Sequence, residues 1–197
     1  MKNLFAALVI VLMTIGTSLS VQAQEFPKAD ASIMDAAYYP ARAAFAAFAK
    51  TDEEKKALTP KLRVLYSRPA KKGRKIFGDL QKYGEMWRVG ANESTELMVY
   101  SDVKVGGKTL KAGERYSVHA MLKENEWTVY FSSMLDGWGS YAFQGNPEAT
   151  TVAKITVPTQ KTPETVELLG IFFEKSDDGA HMIIGWDDTM VRVPFQF

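Results

Sequence analysis

The chain has 197 residues, no cysteine, 24 basic and 23 acidic residues, and 12% aromatic residues. Without Cys there is no thiol catalysis, zinc-thiolate site or disulfide, so packing alone must stabilise the fold. Balanced charge gives no overall field to recruit nucleic acid or an acidic membrane surface, and neither is expected as a partner.

The first 23 residues read as a signal peptide. Lys2 supplies the positive end, residues 4–13 are apolar but too few to span a bilayer, and Val21-Gln22-Ala23 is a small-x-small cleavage site before Gln24. No Cys follows for lipid attachment, and no later stretch is apolar for long enough to cross a membrane. A periplasmic or secreted protein without a transmembrane segment is the expectation. Without Lys2 the 24 basic residues fall to 23, equal to the 23 acidic ones. The length left after the leader suits one domain.

Residues 24–61 are expected to form an N-terminal arm, partly helical. Residues 41–50 (Ala-Arg-Ala-Ala-Phe-Ala-Ala-Phe-Ala-Lys) favour helix, with Phe45 and Phe48 three apart on one face and Pro40 suited to a first turn. Thr51-Asp52-Glu53-Glu54 reads as a capping box for a second helical piece ending before Pro60, either separate or continuous with the first. Such an arm covers a sheet edge or binds a partner.

From Leu62 onward the apolar period becomes two. Leu62, Val64 and Tyr66 alternate with polar neighbours, as do Thr95, Leu97 and Val99 with Glu96, Met98 and Tyr100, which marks half-buried strands. Gly106-Gly107 sits where a tight hairpin turn needs left-handed residues. Residues 116–122 and 127–131 flank a short polar loop and predict a hairpin, and Asp177-Asp178-Gly179 predicts another. Further strands are expected over 151–157, 165–173, 180–186 and 190–195. The pattern predicts residues 62–197 as a mainly β domain, an antiparallel β-sandwich of jelly-roll type carrying a short N-terminal helical arm.

No nucleophile elbow, P-loop, His-Glu-x-x-His or dinucleotide fingerprint occurs. The two histidines, His119 and His181, fall in separate strands. With Glu93 or Asp187 they would suffice for a metal only if the fold brought them together, so no metal and no cofactor is expected. His119 points away from the face of Val118 and Ala120, toward either a pocket or solvent. Residues 68–75 hold five cations in eight positions, an anion clamp or a solvated loop. Of the four tryptophans, Trp127 and Trp186 read as core, Trp138 between two glycines as exposed, and Trp87 as intermediate.

The densest stretch, Tyr66-Ser67-Arg68-Pro69, Lys72-Gly73-Arg74, Ile76-Phe77-Gly78, Tyr83-Gly84, Trp87-Arg88, Gly90-Ala91-Asn92-Glu93 and Thr95, resembles the hallmark of a bacterial family known as domain of unknown function 2911. The resemblance continues through Gly107-Lys108, Ala112-Gly113, Tyr116, Glu126-Trp127-Thr128, Trp138-Gly139 and Trp186, covering residues 62–197. It implies an exported, mostly β protein of Gram-negative envelopes and carries no established activity. The chain departs from the family pattern at 41–50 and at Ser117-Val118-His119.

Because Arg68, Lys72, Arg74, Arg88, Asn92 and Glu93 belong to the resembling pattern, they form either a buried polar network or a polar pocket. With Trp87 and Trp138 they are the candidate ligand-binding residues, for a small polar or anionic ligand such as a glycan fragment. The rival expectations are a hydrolase or isomerase with Glu93 or His119 as base, its other catalytic residues unassigned, and a structural envelope component.

Overall fold

A computed structural model describes residues 25–197; the leader expected over residues 1–23 lies outside them. The arm opens with β1 (Met34–Tyr39), which pairs antiparallel with all six residues of β2 (Leu62–Ser67). The arm thus covers the edge of β2 with a strand. Between them lie a 3-10 turn over Ala43–Phe48 and α1 (Asp52–Leu58). The two pieces are separate, because Ala49 is extended. Thr51 caps α1 by accepting the Glu54 N–H at 3.1 Å, and the Glu54 carboxylate accepts the Lys50 N–H at 2.7 Å. Phe45 and Phe48 stay exposed, and only Ala43 of the first piece is buried.

The remaining elements are β3 (Met86–Trp87), β4 (Thr95–Val99), β5 (Val103–Val105), β6 (Lys108–Leu110), β7 (Arg115–Leu122), β8 (Glu126–Ser132), α2 (Tyr141–Gly145), α3 (Pro147–Thr150), β9 (Thr151–Ser176) and β10 (Gly179–Gln196). They form an open antiparallel 10-stranded sheet in the order β1-β2-β4-β7-β8-β9-β10-β5-β6, with β3 added to β7. The mainly antiparallel β architecture expected from the period-two pattern is the one found. Inward residues of the two halves of the sheet share one core. Leu62, Val64, Leu97, Val118, Val129 and Phe131 pack with Ile171, Met182, Ile184, Val191, Val193 and Phe195, and the Phe131 and Phe195 rings meet edge to face at 5.5 Å.

The last four predicted strands are two. β9 runs unbroken for 26 residues through Pro158 and Pro163. Neither proline breaks a ladder, for different reasons. Pro158 stands opposite Glu126 at the end of the β8 pairing, where β9 passes from one neighbour to the other. Pro163 lies where the register slips: residues 162–165 stand opposite Asp188 alone, and residues 167–169 opposite Trp186 alone. This excess makes β9 bulge away from β10, and the bulge is met from outside. Leu169 N–H bonds Pro69 O at 3.1 Å, Lys71 N–H bonds Glu167 O at 2.7 Å, and Ala70 bridges Leu168. The connection leaving β2 is therefore sewn onto the far half of the sheet.

Candidate functional site

The connection between β2 and β4 is held at both ends. After bonding the β9 bulge it turns at Lys72 and Gly73, both at positive φ (50° and 72°), and Arg74 locks that turn. Its Nε and Nη2 donate to the carbonyls of Lys71 (2.9 Å) and Ala70 (2.6 Å). Further on, Gly84 N–H bonds Leu122 O at 2.8 Å and β3 pairs with β7, so this end lies against the β7–β8 hairpin.

Between these moorings opens a cavity of about 630 Å³, within the size range of small-molecule sites. One wall is the connection itself, through Lys71, Gly73, Lys75, Phe77 and Tyr83; another is the β7–β8 turn, with Glu124 and Asn125; the third is Thr159, Gln160 and Lys161 of β9 with Asp187, Asp188 and Thr189 of β10. Asp187 joins two walls. Its carboxylate accepts the Ile76 N–H at 3.1 Å and pairs with Lys71 Nζ at 3.3 Å, while its backbone adopts the left-handed region (φ 57°) that Asp tolerates better than most residues. Lys161 donates to Asp188 at 2.6 Å, and this bond, then that from Thr189, holds the Asp188 carboxyl below its ordinary range. Burial, then the Glu124 carboxylate, raises the Tyr83 phenol above its own, so Tyr83 is a neutral hydroxyl at physiological pH.

Phe77 is both a lining residue and the lid of an aromatic cluster. Its ring lies 4.8 Å from Trp127 and 5.7 Å from Trp87, and Trp87 stacks on Trp186 at 6.2 Å. Trp186 donates to Glu167 O at 3.3 Å, whereas the buried indole N–H groups of Trp87 and Trp127 meet no acceptor among the described residues. Core placement of Trp127 and Trp186 agrees with the sequence reading, and Trp87 joins them.

None of the eight candidate ligand residues lines this cavity. Arg68 spans the sheet halves, donating to Asp35 at 2.9 Å and to Leu169 O at 3.0 Å. Lys72 turns its backbone N–H to the Glu167 carboxylate, and Arg74 is spent on the turn. Trp87 is core, and the Arg88 Nε is buried without a partner among the described residues. Asn92, at φ 60°, donates to Asp30 and accepts the Gly139 N–H through its carbonyl. Glu93 is exposed and bridges Trp138, whose side chain is 67% exposed. Asn92, Glu93 and Trp138 are thus brought together. Glu93 lines a smaller hollow of about 230 Å³ with Glu96, Arg115 and Asp136.

His119 faces neither pocket nor solvent. It is 0% exposed, stacked 3.9 Å from the Phe143 ring of α2, with neither ring nitrogen bonded, and burial lowers its pKa to about 4. The outward face of β7, on which the alternation places it, is roofed by a helix of five residues that the sequence pattern did not announce. Among the described residues no three His, Asp or Glu side chains are grouped as a metal site, and no helix is long and apolar enough to cross a membrane.

The profile of a family described as "Protein of unknown function (DUF2911)" matches residues 49–195. The chain belongs to that family. No curated protein and no solved structure matches it. The family span takes in α1 and everything that builds the cavity, including both moorings of the connection. The cavity residues that sequence reasoning passed over carried a signal all the same: Lys71 and Lys75 belong to the same cation run as Arg68 and Arg74, and Phe77 and Tyr83 to the same family motif.

Proposed function

We propose that the protein is an exported, non-enzymatic module that binds a small polar ligand in the cavity beside the family motif, with a glycan fragment as the best-fitting class. The observation that carries this reading is the tie from Asp187 to Ile76 and Lys71, which fixes the walls before any ligand arrives. The lining suits hydroxyl recognition. Asn125 and the Gln160 amide N–H2 offer donors, the Thr159 and Thr189 hydroxyls, which donate internally, keep acceptor capacity, and the exposed Tyr83 adds an aromatic ring and a hydroxyl to the lining. Export rests on the leader-like pattern of residues 1–23, and N-terminal sequencing of the mature protein should begin at Gln24.

The test is a thermal-shift and calorimetric screen of neutral and anionic mono- and disaccharides, with Tyr83→Ala and Gln160→Ala as site variants. Binding that both variants weaken supports the reading; a panel with no binder removes the glycan class, and binding indifferent to both variants removes the cavity as the site. A second reading, as a structural component that packs against a partner, draws on an apolar groove of about 360 Å³ on the sheet's outer surface, lined by Val166, Phe172, Ile183 and Met190. It predicts self-association or partner capture that Phe172→Lys abolishes, and a monomer at all concentrations without a partner speaks against it.

A further inference from the structure

Resting on the reading of the cavity as a ligand site, we infer that its ligand is a zwitterion, carrying an anionic group for Lys75 and a cationic group for Glu124. Six charged side chains line the cavity, three of each sign. Four of them satisfy one another, Lys71 with Asp187 at 3.3 Å and Lys161 with Asp188 at 2.6 Å. Lys75 and Glu124 are left over. Among the described residues neither charged end has an ion-pair partner, and the two do not pair with each other. They stand on different walls, Lys75 on the connection and Glu124 on the β7–β8 turn.

Two unpaired opposite charges on separate walls of a concave site select by charge placement. A simple anion gains Lys75 but meets Glu124, a simple cation the reverse, and a neutral sugar leaves both to water. A molecule with a carboxylate at one end and an ammonium at the other satisfies both through charge-assisted hydrogen bonds. The Lys71–Asp187 pair ties the connection to β10, and the Thr159 hydroxyl, donating to Glu124 O at 3.0 Å, ties the β7–β8 turn to β9, so the separation of the ligand's two charges is the selective variable. Free amino acids, short peptides and amino-sugar acids share this chemistry.

The test titrates the full chain calorimetrically with glycine, diglycine, triglycine and glucosaminic acid, alongside the N-acetylated and the C-amidated form of each and glucose as a neutral control. One member of the glycine ladder or the amino-sugar acid should bind at least tenfold more tightly than either of its singly blocked forms. Glu124→Gln should cost the intact zwitterion tenfold or more and should not weaken the N-acetylated form, which is freed of a like charge; Lys75→Gln should act in the same way on the intact zwitterion and the amidated form. If glucose or a singly charged form binds as well as the zwitterions, the inference falls and the binding role stands. If nothing in this series and nothing in the saccharide screen binds, both fall.

Discussion

The Asp187 carboxylate accepts the backbone N–H of Ile76 at 3.1 Å across 111 positions of sequence. That bond, with the Lys71 pair, links the final strand to the family motif. Asp187→Asn keeps an acceptor and a residue that tolerates positive φ, so it should retain most of the stability. Asp187→Ala leaves the Ile76 N–H without its acceptor and the Lys71 ammonium with the Arg74 carbonyl but no carboxylate, and should cost roughly 1–3 kcal/mol. Urea denaturation of the two variants side by side measures the difference, and equal losses would contradict it.

Arg68→Ala should cost about 1–2 kcal/mol, because the guanidinium, itself partly exposed, joins Asp35 of β1 to Leu169 O of β9. The loss should appear first as faster amide hydrogen exchange over Met34–Tyr39. Ligand binding in the cavity should stay unchanged, since Arg68 does not line it.

Acid should destabilise the protein through His119. Its folded pKa of about 4 lies below the ordinary value of 6.5, so the unfolded chain takes up the proton first. The stabilisation is complete above pH 6.5 and is lost as pH falls toward 4, a change on the order of 3 kcal/mol at most. His119→Phe keeps the stack on Phe143, removes two unbonded ring nitrogens and should raise the urea midpoint at pH 7. It should also flatten the decline between pH 6.5 and 4, and an undiminished decline in the variant would assign it elsewhere.

Two neighbouring glycines in the β5–β6 turn should respond differently to the same change. At Gly107 (φ 74°) a methyl group meets nothing within 4 Å, so Gly107→Ala should cost only the left-handed penalty of about 1–2 kcal/mol. At Gly106 (φ 56°) it would lie 2.1 Å from Lys154 O, a backbone atom of β9. Gly106→Ala should therefore cost more than about 3 kcal/mol. Thermal denaturation of the pair checks the order.

Alternation announced β2 and β4 because each buries one face, the short polar loop announced the β7–β8 hairpin although β7 is buried on both faces, and Gly106-Gly107 announced a hairpin because the turn needs both residues left-handed. The strands expected over 151–157 and 165–173 are one, because the effect of Pro158 and Pro163 depends on which neighbour needs the missing N–H, and only the register decides that. For Arg68 and Arg74 residue type left a ligand pocket and a structural network both open, and carbonyls from the β9 bulge and from their own turn lie within reach and take donors of both. The cavity itself was only half legible, since Glu124, Thr159 and Asp187 reach it through pairing of distant strands, whereas Lys71, Lys75, Phe77 and Tyr83 belong to one run of sequence.

The β5–β6 hairpin forms early in the chain, yet its neighbour in the sheet is β10, which it meets at Lys104 and Gln196. That edge of the sheet therefore closes only once β10 is in place. Closing contacts at that sequence separation makes for slow, late consolidation.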